Sequence, residues 1–339
     1  SHFRKLRLQR YGQSAQWTDS VTFITHDAKA MTEGEITLSI IQNSIQGARI
    51  GEALTFENLT MFPLTVGEET DAYYLTLDEA LSSGTAKVTE VSGSGSVPEL
   101  QFLNEGDIPV LLLDGEELVG AKQNRVLNLS ILAPAHNAIT IPVSCVEQGR
   151  WSYRSAEFRS EDRVHYSRGR SAKAASVSMS MESGAPPRSN QSEVWRNISG
   201  KSARLGVSSP TDSMSDIYEQ RKRSIDEFVR SFTCGEQQAG AIFGIDGAVA
   251  GIDLFDVPST FAKLLPKLIR SYALDALETS TDEKKPTPET EVQSFIDILS
   301  AVETQAFSAV GLGEDLRLKS QMVSGGALAN DGSVVHLGA

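Results

Sequence analysis

Gln123-Asn124-Arg125-Val126-Leu127-Asn128-Leu129-Ser130-Ile131-Leu132 and Ile139-Thr140-Ile141-Pro142-Val143-Ser144-Cys145-Val146-Glu147 each read as a β-strand with one apolar row. Side chains alternate faces along a strand, so the odd positions of both stretches fall on one side. In the first stretch that side carries Gln123, Arg125, Leu127, Leu129 and Ile131. In the second it carries Ile139, Ile141, Val143, Cys145 and Glu147. Both rows are apolar at the near end and polar at the far end. The pattern predicts a β-hairpin over residues 122–148, with residues 133–138 as its loop.

Register decides which polar groups meet. If Ile131 opposes Ile139, Arg125 opposes Cys145 and Gln123 opposes Glu147. A slip that keeps the apolar faces together sets Arg125 against Glu147. Cross-strand and diagonal neighbours lie roughly 5–8 Å apart, so either register brings the guanidinium within reach of the carboxylate. A charge on a buried face must be paired or must line a wet cavity. Two readings stay open: a structural Arg125–Glu147 pair closing one end of a sandwich or barrel, or a pocket mouth. In the pocket, Arg125 binds an anion, Gln123 adds a hydrogen bond and Glu147 serves as base. Cys145, beside Arg125, is either a small core residue or a thiol whose ionised form the cation favours.

Just upstream, Asp114-Gly115 has the form of a two-residue hairpin turn between Val110-Leu111-Leu112-Leu113 and Glu116-Glu117-Leu118-Val119. Each face then holds Leu or Val with one Glu. A carboxylate drawn out of water there has a raised pKa, as a general acid needs; at a solvated turn it does not. Glu116 and Glu117 are therefore candidate catalytic acids beside Glu147 as base.

Outward from this centre, Val21–Ile24, Ile36–Ile40 and Leu59–Leu64 read as strands. Asp78 reads as the N-cap of a short helix, and Ser92–Ser96 as a flexible loop. Residues 154–206 are rich in Ser, Gly and Pro, and ten basic residues face five acidic ones, which reads as a mobile basic insertion or lid. Three helices follow by 3.6-residue period, over Met214–Phe232, Phe261–Tyr272 (bent at Pro266) and Val292–Ala306. Asp246-Gly247 and Asp331-Gly332 mark two further hairpins. The expectation is an α+β protein: an antiparallel sandwich or barrel-like core with C-terminal helices beside it, residues 21–339 forming one domain after an extension at 1–20.

Composition narrows the function classes. With 40% hydrophobic and 22% charged residues the chain has ordinary globular composition, and no apolar run approaches a membrane span. A net charge of −13 argues against general nucleic-acid binding. Two cysteines are too few for a disulfide framework, and both sit beside apolar residues, so buried reduced thiols and a bacterial-type cytoplasm are expected. The five histidines show no metal-ligand spacing, and no phosphate-loop, dinucleotide or nucleophile-elbow motif appears. No cofactor is evident, although clustered carboxylates are compatible with Mg²⁺. Nothing speaks to oligomeric state.

The run Val110-Leu111-Leu112-Leu113-Asp114-Gly115-Glu116-Glu117-Leu118-Val119-Gly120-Ala121-Lys122-Gln123-Asn124-Arg125 resembles the core of the ARPP-1 proteins. So does Ile141-Pro142-Val143-Ser144-Cys145-Val146-Glu147-Gln148-Gly149-Arg150-Trp151. Asp253-Leu254-Phe255, Lys267–Ala273 and Val334-Val335-His336-Leu337 extend the likeness over most of residues 50–339. This domain family has largely unknown function and is named for association with ADP-ribosyl glycohydrolases and related phosphatases. The resemblance implies a hydrolase or sensor for an NAD- or ADP-ribose-derived nucleotide. It carries Glu116, Gln123, Arg125, Cys145, Glu147 and Arg150 over as site residues, and the closing match adds His336. The alternative is a non-catalytic interaction protein with a structural Arg–Glu pair and a partner-binding basic loop.

Overall fold

The computed structural model describes residues 33–67, 71–279 and 284–339. The expected strand at Val21–Ile24 and the extension at 1–20 lie outside them. Among the described residues the strands form a closed six-stranded barrel, a nine-stranded antiparallel sheet and a small three-stranded sheet. The α+β expectation is met.

In the barrel, Asn137–Cys145 pairs with Glu99–Asn104, followed by Ala86–Glu90, Glu157–Val164, Glu116–Gly120 and Arg125–Leu127, which closes back onto Asn137–Cys145. Its interior holds Val88, Leu100, Phe102, Leu118, Leu127, Ile141, Val143 and Phe158, and Leu77 and Ala80 of the helix Leu77–Ser82 pack into the same cluster. That helix is capped by Thr76 rather than by Asp78. The Thr76 hydroxyl accepts from Glu79 N, and the Glu79 carboxylate accepts from Thr76 N, 2.9 Å. Thr76→Ala should cost about 1 kcal/mol in urea denaturation, and an unchanged midpoint would show that the cap adds nothing.

The large sheet runs Arg49–Ile50, Leu59–Thr65, Gln238–Ile245, Ala248–Phe255, Ser333–Gly338, Gly326–Asn330, Glu314–Lys319 and Glu303–Ser308, with Leu54–Phe56 also on Leu59–Thr65. Both expected Asp-Gly hairpins are present, with Asp246, Gly247, Asp331 and Gly332 all at positive φ. The helix Pro258–Thr279 runs through Pro266 and packs one side on this sheet and the other on the barrel strand Glu157–Val164. Apolar residues of all three, with those of the helix Met214–Ser231, form one core. Helices Glu33–Gly47 and Glu289–Ala301 cover the opposite face of the sheet.

Several expectations change. Ile36–Ile40 lies in the helix Glu33–Gly47, whose later residues Ile41 and Ile45 are buried at helical spacing. The last helix stops at Ala301, and Ala306 belongs to a strand. The Asp114-Gly115 turn joins two sheets instead of making a hairpin: Val110–Leu112 pairs with Ile131–Ala133, whereas Glu116–Gly120 enters the barrel. Gly115, at φ +82°, lets the Arg170 side chain pass; a Cβ there would sit 2.8 Å from Arg170 Cδ.

The 122–148 hairpin is likewise divided. Arg125 does oppose Cys145, as the first register requires, but Ile131 pairs with Leu112 and not with Ile139. The chain leaves the barrel between Leu127 and Ile131.

Residues 154–206 are not a loop. They form the barrel strand Glu157–Val164 and the helices Ser167–Glu182 and Gln191–Arg204. Four of their ten cations point inward: Arg163, Arg170, Lys173 and Lys201 are buried, on Glu117, Asp253, Asp114 and Asp275 respectively. Buried charge survives only when paired, so this basic segment and the acidic remainder of the chain complete each other.

Candidate functional site

Alternation along the barrel strands places Arg125 and Leu127, Cys145 and Val143, and Glu90 and Val88 on the inner face. Arg125 is the largest fully buried side chain among the described residues. Its Nη1 donates to Gln123 Oε1 at 3.0 Å, and the Cys145 thiol donates to the same oxygen at 3.1 Å. Gln123, Arg125 and Cys145 thus form one cluster, as expected. Burial lowers the Arg125 pKa, opposed first by Cys145 and then by Glu90. Burial also raises the Cys145 pKa, although Arg125 acts to lower it. Cys234, the other free thiol, is only half-buried.

Glu147 is not the partner of Arg125. After Cys145 the chain leaves the strand, and the Glu147 carboxylate turns to Arg150, with Nε and Nη2 at 2.8 and 2.7 Å from Oε2. The Asn124 backbone N–H donates to Oε2 at 3.2 Å and the Thr211 hydroxyl to Oε1 at 3.1 Å; Arg154 stands 3.6 Å away. Arg150 also donates to the carbonyls of Gly120, Ala121 and Ser152 and to Asn124 Oδ1. This pair clamps the loop 148–154 to the barrel rim. The structural Arg–Glu pair exists, with Arg150 in place of Arg125.

Glu116 and Glu117 are both buried, on opposite sides of their strand. Glu116 accepts from Lys267 Nζ at 2.7 Å and from Leu113 N at 2.9 Å. Burial raises its pKa even with Lys267 beside it. Glu117 accepts from Arg163 Nε and from the Ser215 hydroxyl, 2.7 Å. Asn124 Nδ2 donates to that hydroxyl at 2.9 Å, which links the Glu117 and Glu147 groups. His336 stands apart, on the large sheet, its Nδ1 2.8 Å from Ser130 Oγ and its Nε2 3.4 Å from Asp253. The structure therefore distributes the eight expected site residues over three neighbourhoods and the Glu116–Lys267 pair.

The neighbourhood open to solvent is a cleft of about 400 Å³. Asn124, Glu147, Arg154, Arg159, Glu161 and Arg163 line one part of it, and Thr211, Ser213, Ser215, Asp216 and Glu219 the other. Sequence reasoning missed the second wall because it arrives from residues 211–219, which share no motif with the barrel. The isolated bridge Glu147↔Ser213 joins the two.

Among the described residues, no group of three or more His, Cys, Asp or Glu is placed to hold a metal ion, and no helix is long and apolar enough to cross a membrane. No curated protein and no solved structure matches the chain significantly. The family model described as "ARG and Rhodanese-Phosphatase-superfamily-associated Protein domain", ARPP-1, matches residues 47–339, which takes in every strand and helix described above except the first helix. The chain belongs to the ARPP-1 family.

Proposed function

We propose that this protein binds, as a sensor rather than a hydrolase, a phosphorylated and hydroxyl-rich small molecule of the NAD or ADP-ribose type, seated in the cleft. The observation that carries this reading is the convergence of Arg154, Arg159 and Arg163 on a space whose other wall is hydroxyl and carboxylate. Arg154 and Arg159 are largely exposed and each has one carboxylate neighbour, so both are available to an incoming phosphate. Arg163 is buried on Glu117 and Glu219 and holds the wall in place. Ser213, Ser215, Asp216 and Glu219 offer hydrogen bonds of the kind a ribose accepts and donates.

A hydrolytic role for Glu147, Glu116 or Glu117 has less support. Each carboxylate accepts from at least two protein donors, whereas a general base needs a lone pair facing substrate. A partner-binding basic loop has less support too, since the segment is a strand and two helices and four of its ten cations are buried on acids.

Calorimetric titration with ADP-ribose, ribose 5-phosphate and adenosine, each with and without Mg²⁺, tests the proposal. Both phosphorylated compounds should bind and adenosine should not, and the double variant Arg154→Ala/Arg159→Ala should weaken binding about tenfold or more. Absence of binding by all three, or turnover of ADP-ribose, would overturn it.

A further inference from the structure

Arg125 poses a separate question. A guanidinium presents five N–H donors in one plane. Nη1 is engaged by Gln123 Oε1 and, at 3.4 Å, by the Asn124 carbonyl. Nε and Nη2 have no protein acceptor and are shielded from water. These two nitrogens form one edge of the group, with parallel N–H bonds. That edge grips a carboxylate or phosphate with two simultaneous hydrogen bonds. Charged donors left unmade in an interior cost more than a neutral hydrogen bond, so a merely structural arginine would turn this edge to an acid. Glu147, the carboxylate expected to pair with Arg125, is committed to Arg150.

The surroundings suit a ligand. Arg125 begins its barrel strand and Cys145 and Glu90 end theirs, which sets the group at one end of the barrel, and barrel mouths are common small-molecule sites. The Trp151 ring faces the guanidinium at 5.8 Å and is 49% exposed. Lys122 Nζ sits 5.2 Å from that ring and 5.1 Å from Tyr153, and donates to Gly93 O at 2.9 Å in the Ser92–Ser96 loop. Glu90, on the same inner face, has its Oε2 without a donor. The Cys145 thiol lies directly across the ladder from Arg125.

We infer that the barrel end is a binding site for a small oxyanion, a carboxylate or phosphate group held two-pronged by the Nε and Nη2 edge of Arg125 beneath Trp151. Glu90 adds selectivity, because a ligand with a hydroxyl or ammonium beside its oxyanion satisfies the free Glu90 oxygen as well. The site is distinct from the cleft, since Gln123, Arg125 and Cys145 do not line that space, and it stands or falls independently of it.

The test uses the full chain with Cys234→Ser, so that Cys145 is the reporting thiol. Acetate, lactate and inorganic phosphate are added separately to the Trp17→Phe/Trp195→Phe form, while Trp151 emission and the rate of Cys145 alkylation by N-ethylmaleimide are followed. At least one anion should change both signals saturably. Arg125→Lys, which keeps the charge and loses the fork, should weaken that anion about tenfold or more. Glu90→Gln, which removes a competing negative charge, should tighten acetate or phosphate. Saturation by acetate or lactate alone identifies a carboxylate ligand, with lactate ahead of acetate if Glu90 reads the adjacent hydroxyl; saturation by phosphate identifies a phosphoryl group. If Arg125→Lys does not fold, Trp151→Ala serves instead and should abolish the shielding of Cys145 by the anion. No saturable response to any of the three, or full retention of binding in Arg125→Lys, would overturn the inference.

Discussion

Replacing Arg170 with methionine should cost about 3–5 kcal/mol at pH 7, the range for breaking a buried pair by removing one partner. Asp253 is fully buried, and Arg170 grips it with two bonds, Nη1 to Oδ1 at 2.8 Å and Nη2 to Oδ2 at 2.9 Å. Tyr272 donates to Oδ2 at 2.9 Å, and His336 lies beside Oδ1. One carboxylate thus joins the helix Ser167–Glu182, the helix Pro258–Thr279 and the two central strands of the large sheet. Methionine keeps much of the side-chain volume and leaves the carboxylate charge unmatched.

The pH dependence gives this prediction its sign. Burial disfavours the Asp253 charge, but Arg170 more than offsets that and holds the carboxyl well below its ordinary value of 3.8. A depressed native pKa contributes stability that is complete above 3.8 and fades as pH falls below it, because the unfolded chain takes up the proton first. Without Arg170, burial acts alone and raises the same pKa, so the variant is penalised most when Asp253 must ionise. The wild-type advantage measured from urea midpoints should therefore be largest at pH 7 and narrow steadily toward pH 4. A difference that is constant over that range would mean that Arg170 acts through packing and not through charge.

The legibility of this fold in its sequence follows from where the signals are local. The Asp246-Gly247 and Asp331-Gly332 hairpins were readable because two-residue turns impose positive φ, and both flanking runs alternate. Asp114-Gly115 carries the same turn chemistry, yet its flanks part into different sheets. Nothing in a four-residue turn encodes which distant strand each arm will meet. Alternation placed Gln123, Arg125 and Cys145 on one face but left two registers open, and the structure takes the one that sets Arg125 against Cys145. The partner of Glu147 was not legible, because it depends on the chain leaving its ladder just after Cys145.

Composition misled most over residues 154–206. Ser, Gly and Arg read as solvated loop, but small side chains allow the helix Ser167–Glu182 to approach its neighbours closely, and its cations meet buried acids from elsewhere in the chain. Arg170 finds Asp253 and Lys173 finds Asp114 at sequence distances beyond any periodicity. The Arg154–Arg159–Arg163 wall of the cleft shares this origin: three residues of a supposed insertion prove to be on and beside a barrel strand.

At Glu116 the native pKa shift runs the other way from that of Asp253. Lys267→Met alone should destabilise the protein by about 3–5 kcal/mol at pH 7, since it leaves a fully buried carboxylate without its cation. Burial works against the Lys267 ammonium, but Glu116 and Asp78 together raise its pKa, so it enters the pair charged. Asp78 is half exposed and can return to water when the lysine is removed. Glu116 cannot, and its pKa already stands above the ordinary 4.5, chiefly through burial. A raised native pKa contributes stability that is present below 4.5 and lost as pH rises through the native value. The Lys267→Met penalty should therefore shrink as the solution is acidified and Glu116 takes up its proton. Adding Glu116→Leu to Lys267→Met removes both charges and replaces them with apolar groups of similar size, which is often close to neutral for a buried pair. The double variant should recover most of the loss in urea denaturation, and the excess over additivity measures the coupling of the two residues. It should also bind ADP-ribose in the cleft as the unaltered protein does. Recovered stability with lost binding would instead mean that the carboxylate of Glu116 serves the ligand and not the fold.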